Sequence, residues 1–186
     1  MDLRRRFMTI KQIIKNCGVI LGLDDVANGS GMNWDVLLRC ASLVVANIAA
    51  KHVALQTTEV HSPLGHRVNL AALAQPLVSV VSVTRAGRNV SFGLHLDHIA
   101  VAPPSSPHEI GVPVTITYTY MPKIKTGAER NPFDLPPAVL EYGILAEYAF
   151  INGMTSEALV WNQKMSDIMF DAKRITGRTK TMPSAF

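Results

Sequence analysis

Apolar residues recur every three or four positions at both ends of this 186-residue chain and every second position in its middle. A helical period and a strand period cannot be exchanged, because each puts its apolar face on a different geometry. The chain must therefore carry helices at its two ends and strands between them. Neither short run of helices buries its own stripe, so the two ends are expected to meet. The first stripe is Ile10, Ile13, Ile14, Cys17 and Leu21. Thr9 with Gln12 forms a capping box ahead of it, Met8 and Ile13 are placed as a hydrophobic staple, and Gly22 supplies the stop.

Residues 24–33 read as a loop, with Asn28, Gly29, Ser30 and Gly31 as turn residues. Asp24 and Asp25 do not make it a calcium loop, since Val26 stands at the third ligand position and no Glu at the twelfth. Asn33 is placed to cap a second helix. Its stripe is Trp34, Leu37, Leu38, Ala41, Val44, Val45, Ile48, His52 and Leu55. The period then changes. Leu77 to Thr84 is a β-branched run, followed by a hairpin turn at Arg85-Ala86-Gly87-Arg88. Val90, Phe92, Leu94 and Leu96 alternate with polar residues, as do Val114, Ile116, Tyr118 and Tyr120. Shorter strands fit Thr57 to Val60, Arg67 to Leu70 and Ile99 to Val101. About five or six antiparallel strands form a small sandwich or barrel.

Residues 122–134 read as a linker. Pro136 and Pro137 open a third helix, where a missing N–H is harmless, and Asn152-Gly153 closes it. That helix is apolar nearly all round: Leu140, Ile144, Tyr148 and Ile151 make one stripe, and Val139, Tyr142, Gly143, Ala146, Ala149 and Phe150 another. Such a helix is expected to be buried on more than one side, which a subunit of an assembly achieves more readily than a lone domain. Thr155 opens the fourth helix, whose stripe is Ala158, Trp161, Met165, Ile168, Met169 and Ala172, with a polar opposite face. The fold class is α+β: a four-helix bundle made from the chain ends, an inserted antiparallel β-sandwich or barrel, and an extended C-terminal tail. The expected boundaries are 1–55 for the N-terminal helices, 56–121 for the β-domain, 122–134 for the linker, 135–174 for the helical hairpin and 175–186 for a basic tail.

Charge is concentrated at the ends. Residues 1–16 hold five bases and one acid, residues 173–186 hold four bases and no acid, and the residues between sum to −4. Basic arms on an acidic body point to contact with something negative. Cys17 and Cys40 lack metal spacing and read as buried free thiols of a soluble protein made in a reducing compartment. No stretch approaches the ~18 apolar residues of a membrane span, so no membrane partner is expected. Phosphate loops, dinucleotide fingerprints, nucleophile elbows and Cys-x-x-Cys pairs are absent from the sequence. His95-Leu96-Asp97-His98 is the best metal candidate. On a strand, however, His95 and Asp97 face one way and His98 the other, and only a turn after Asp97 would bring His98 round to them. No enzyme, cofactor or metal is therefore expected. Tyr118 and Tyr120 lie on the inward face, so the strands lack the aromatic ladder of a single-strand nucleic-acid binder.

A set of local texts occurs in fixed order. Thr115-Ile116-Thr117-Tyr118-Thr119-Tyr120-Met121-Pro122 precedes Leu135-Pro136-Pro137 and Tyr142-Gly143-Ile144-Leu145-Ala146-Glu147-Tyr148. Asn152-Gly153-Met154, Glu157-Ala158 and Trp161-Asn162-Gln163-Lys164-Met165 follow. In this order the chain resembles the head-to-tail adaptor family of tailed bacteriophages, also called head-completion proteins or tail tubular protein A, over about residues 112–186. The resemblance implies a structural virion protein at the head–tail junction, made in the host bacterial cytoplasm. It implies a homo-oligomeric ring, commonly a dodecamer, beneath the portal protein. DNA passes through the lumen without sequence-specific binding, and a downstream tail (nozzle) protein meets the β-domain. It also implies that the C-terminal tail reaches into the portal, through Lys173, Arg174, Arg178, Lys180, Met182, Pro183 and Phe186. Tyr142, Gly143, Ala146, Phe150 and Trp161 become the expected subunit-packing residues. The chain departs from the family by ending in Pro183-Ser184-Ala185-Phe186 instead of a more basic, Trp-containing stretch. The competing reading from the charges alone is a small non-specific DNA- or anionic-surface-binding module.

Overall fold

The computed structural model describes residues 8–178. They form five α-helices, α1 (Ile10–Leu21), α2 (Asp24–Ala27), α3 (Met32–Lys51), α4 (Pro137–Ile151) and α5 (Thr155–Arg178). Seven strands, β1 (Leu55–His61), β2 (Arg67–Asn69), β3 (Leu77–Arg85), β4 (Arg88–Asn89), β5 (Phe92–Leu94), β6 (His98–Val101) and β7 (Val114–Tyr120), make two antiparallel sheets. The class is α+β. The chain divides into a helical unit, which runs up to Ile48 and resumes at Lys123, and a β unit, Ala49–Pro122.

In the helical unit α1 has the expected capping box: the Thr9 hydroxyl accepts from the Gln12 N–H at 3.3 Å, and the Gln12 side chain accepts from the Thr9 N–H at 2.9 Å. Gly22 ends the helix in the left-handed conformation. The expected loop that follows contains the short helix α2, whose Val26 is fully buried. A methyl group on Gly18 would stand 2.6 Å from Val26 Cγ1, so the glycine is what lets α2 fold back on α1. Asn33 does not cap α3. The helix starts one residue earlier, and the Asn33 amide instead donates to Asp25 Oδ1 at 3.2 Å, tying α3 to α2. At its other end α3 stops at Lys51, short of the expected His52 and Leu55. Leu55 is instead paired with Tyr120 in a sheet, because strand pairing outweighs a continued helical stripe.

Residues 122–134 are not a loose tether. The Ile10 N–H donates to the Glu129 carbonyl at 2.9 Å, the Lys11 N–H to the Gly127 carbonyl at 2.6 Å, and the Asn131 N–H to the Met8 carbonyl at 3.2 Å. Two of the unpaired N–H groups at the start of α1 are thus satisfied by this strap. Ser42 fixes it to α3 by donating to the Ile124 carbonyl at 3.3 Å. Gly127 is buried, at a φ of 79°, with Trp34 of α3 as a neighbour.

The all-round apolar helix α4 is the centre of the helical unit. It packs on α5 and α1, and Gly143 sits against Val44 of α3. Seven of its residues are buried within this one chain, while Phe150 and Ile151 at its end stay exposed. α5 runs to Arg178, four residues past the expected end of the hairpin at 174, so residues 175–178 are helical.

In the β unit the four-stranded sheet has the order β1-β7-β3-β4 and the three-stranded sheet β2-β6-β5. Val83, Val114, Ile116 and Tyr118 from the first, with Val68, Ile99 and Val101 from the second, form one core. The single strand expected through Val90–Leu96 does not exist. Asn89 pairs with Thr84 in one sheet, whereas Phe92 pairs with Val101 in the other. The chain changes sheets between them, as at the corners of packed sheets. β3 carries two register shifts against β7, and Val78 and Val81 are left exposed there.

Candidate interaction surface

The side chains of the β unit that looked most capable of chemistry are occupied with one another. His95, Leu96, Asp97 and His98 form a hairpin turn closed by the His95 N–H donating to the His98 carbonyl at 2.9 Å. The turn brings His98 back over His95, with ring centroids 4.6 Å apart. His98 Nδ1 lies 2.6 Å from Asp97 Oδ1, and this bond holds the Asp97 carboxyl below its ordinary range. Among the described residues no group of three or more His, Cys, Asp or Glu side chains is arranged to hold a metal ion.

A second cluster centres on Glu59. Its carboxylate accepts from the Tyr118 hydroxyl, from the Ala74 N–H at 3.2 Å and from His61, whose Nε2 lies at 3.1 Å. Burial alone would raise the Glu59 pKa, but the Tyr118, Ala74 and His61 hydrogen bonds together pull it below its ordinary value. Tyr118 is pushed up to about 12 by burial and then by Glu59. The Gln75 N–H donates to the same hydroxyl at 3.2 Å, so the cluster pins residues 74–75 to β1 and β7. Cys17 and Cys40 are buried free thiols. Burial raises both pKa values, Cys40 to about 11, which removes them as nucleophiles.

The surfaces carry more information. Along β1, β7 and β3 one sheet face presents Thr58, Thr115, Thr117, Thr119, Ser79 and Thr84 without a charged side chain among them. Thr58 and Thr117 are hydrogen-bonded at 3.1 Å and Ser79 and Thr119 at 2.7 Å. In the helical unit, large apolar side chains stand in solvent. Val19 and Ile20 do so on α1, Met32 and Leu43 on α3, Phe150 and Ile151 at the end of α4, and Leu159, Val160 and Phe170 on α5. Singly exposed apolar residues are normal, and these nine are spread over four helices.

The residues expected to pack subunits separate into two groups. Gly143 and Ala146 are buried within the chain, Gly143 against Val44 and Met165. Tyr142 and Trp161 are half-buried and stack on each other, centroids 5.5 Å apart, with Lys164 Nζ 4.4 Å over the Trp161 ring. Trp161 closes the hairpin, but from a half-exposed position. Phe150 is 68% exposed and remains available. The residues missed are Val19, Leu159, Val160 and Phe170. The face of α5 read as polar contains three of them, and their absence from every core stripe was the available signal. Of the residues expected to contact a portal, Lys173 and Arg174 lie within α5 and Arg178 ends it. Lys180, Met182, Pro183 and Phe186 lie outside the described residues.

α3 is long and apolar enough to cross a membrane by length and composition, contrary to the expectation that no such stretch exists. Seven of its residues, from Trp34 to Ile48, are buried, which is the pattern of a core helix. No protein-family model matches this chain, and no curated protein matches it.

Proposed function

We propose that this chain is a head-to-tail adaptor of a tailed bacteriophage, a structural subunit of a ring between the capsid portal and the tail. The observation that carries the reading is the discontinuous helical unit. Both chain ends build one set of helices with exposed apolar residues, and a β unit is inserted between them. This suits a part that packs sideways through its helices and presents a separate module to the next component. The four long helices act as the bundle, α2 being an addition to it. The uncharged hydroxyl face of the β unit is the surface offered to the downstream tail protein. The residues after α5 insert into the portal, and DNA passes through the lumen without sequence-specific contact. No step of bond chemistry is assigned to the chain, and no cofactor is invoked.

The test is binding to the portal protein encoded with this chain. The full chain is expected to bind it, and a variant lacking residues 179–186 should fold with α5 intact yet lose at least about tenfold in affinity. Equal binding by the truncated chain would contradict the assignment of the tail. Tight, steeply salt-dependent DNA binding by the isolated chain, with no portal binding, would favour the anionic-surface module instead.

A further inference from the structure

The two histidine–carboxylate pairs of the β unit border one cavity. Its volume of about 350 Å³ falls in the range of small-molecule sites. His61 at the end of β1, Arg67 and Asn69 of β2, and Asp97 and His98 at the start of β6 line it. In β2 only Val68 turns into the core, so Arg67 and Asn69 share the opposite face. Asn69 is paired across the sheet with His98, which puts the two on one face. The turn before β2 is closed by two hydrogen bonds of 3.1 Å between Leu64 and Arg67, with Gly65 and His66 at φ 56° and 64°. That turn fixes where Arg67 emerges. Around the cavity the acceptors are spent and the donors are not. Glu59, behind His61, already accepts from Tyr118, Ala74 and His61. Asp97 is engaged by His98, and its side chain is 81% exposed. Asn69 Oδ1 accepts from the Ala71 N–H at 2.8 Å, which leaves the Asn69 amide N–H groups without a partner among the described residues. Arg67 lies near enough to Asp97 to favour its ionised form, yet its guanidinium is hydrogen-bonded to no described residue. Each imidazole uses one nitrogen on a carboxylate, Nε2 in His61 and Nδ1 in His98, and has the other to spare. A ligand must therefore bring acceptors.

We propose that this cavity binds the phosphate group of a small molecule, held by Arg67, Asn69, His61 and His98. The planar fork of Arg67 matches two phosphate oxygens at once, and the Asn69 amide adds a neutral donor. The donors come from both sheets, which suits a tetrahedral oxyanion better than a planar carboxylate. With Glu59 and Asp97 on their far nitrogens, protonated His61 and His98 would each donate in both directions, to a carboxylate and to the ligand. Binding therefore tightens as the rings take up protons. The charged and titratable groups facing these rings are Glu59, with Tyr118 behind it, for His61, and Asp97, Arg67 and the stacked His95 for His98. The site lies wholly within the β unit and includes none of the residues assigned to the portal, so it stands or falls apart from the adaptor reading.

The experiment is an NMR titration of the full chain with inorganic phosphate, against chloride at matched ionic strength. Saturable shifts of the His61 and His98 ring signals are expected, with tighter binding at pH 6 than at pH 8 although phosphate itself carries less charge there. Arg67→Ala should weaken binding by at least about tenfold. Asn69→Asp retains the acceptor for the Ala71 N–H, and hence the local fold, but sets a negative oxygen where the donor stood, so it should abolish the shifts. Amide spectra unchanged away from the cavity confirm that each variant is folded. Glycerol 3-phosphate and a short DNA duplex separate the sources of phosphate: the ester is expected to move the same signals and the duplex to leave them in place. Shifts that follow ionic strength alone, a folded variant that binds like the wild type, weaker binding at pH 6, or a duplex that moves these signals in preference to the ester would overturn the proposal.

Discussion

Gly143 occupies a position in α4 where the usual preference for alanine in helices is reversed by packing. A methyl group there would lie 2.6 Å from Val44 Cγ1 and 3.0 Å from Met165 Sδ. Val44 is β-branched and buried in its own helix, so it has little room to turn away. Alanine gains about 1 kcal/mol of helix propensity over glycine, while overpacking a core costs about 1–3 kcal/mol. Gly143→Ala is therefore expected to destabilise by about 1 kcal/mol net, and urea unfolding would show it. An increase in stability would mean that α3, α4 and α5 are less closely packed than described. Ala86 presents the opposite case. It sits at a φ of 49° ahead of Gly87 at 76° in the two-residue turn between β3 and β4, a geometry that favours Asn-Gly. Ala86→Asn should stabilise by roughly 0.5–1 kcal/mol, read as a rise in midpoint at unchanged slope.

At the level of elements, two carboxylates hold segments that lack regular structure. Glu59 pins residues 74–75 to the strands. Glu129 accepts from the Lys125 and Thr126 N–H groups at 3.0 and 3.2 Å within the strap on α1. Burial opposes ionisation of Glu129, but these N–H groups outweigh it, so its pKa too falls below the ordinary 4.5. A depressed folded-state pKa means stability that is present above about pH 4.5 and is lost as pH falls below it. Thermal midpoints are expected to fall on going from pH 5 to about pH 3, and Glu59→Gln should flatten that slope while lowering the midpoint at neutral pH. What was readable beforehand follows the same division between local and distant causes. The capping box of α1, its glycine stop and the Asn152-Gly153 turn depend on neighbours in sequence, and all were legible. The end of α3, the change of sheet after Asn89 and the strap on α1 depend on partners far along the chain, and no local pattern records them. The candidate surface was half legible. Apolar stripes reveal what a helix buries, and Val19, Leu159 and Phe170, which belong to no such stripe, stay exposed.

For the whole molecule, a β unit set between two halves of a helical unit lets one chain meet different partners through different parts. The ends, each +4 by residue count, frame a middle of −4. That division is what the adaptor reading needs, and it predicts a position as well as an affinity. The most direct measurement of the proposed role is electron cryomicroscopy of virus particles purified from cells that produce this chain. The account predicts a ring of copies between portal and tail, with helical units side by side. Particles whose head–tail junction is built without this chain would contradict it.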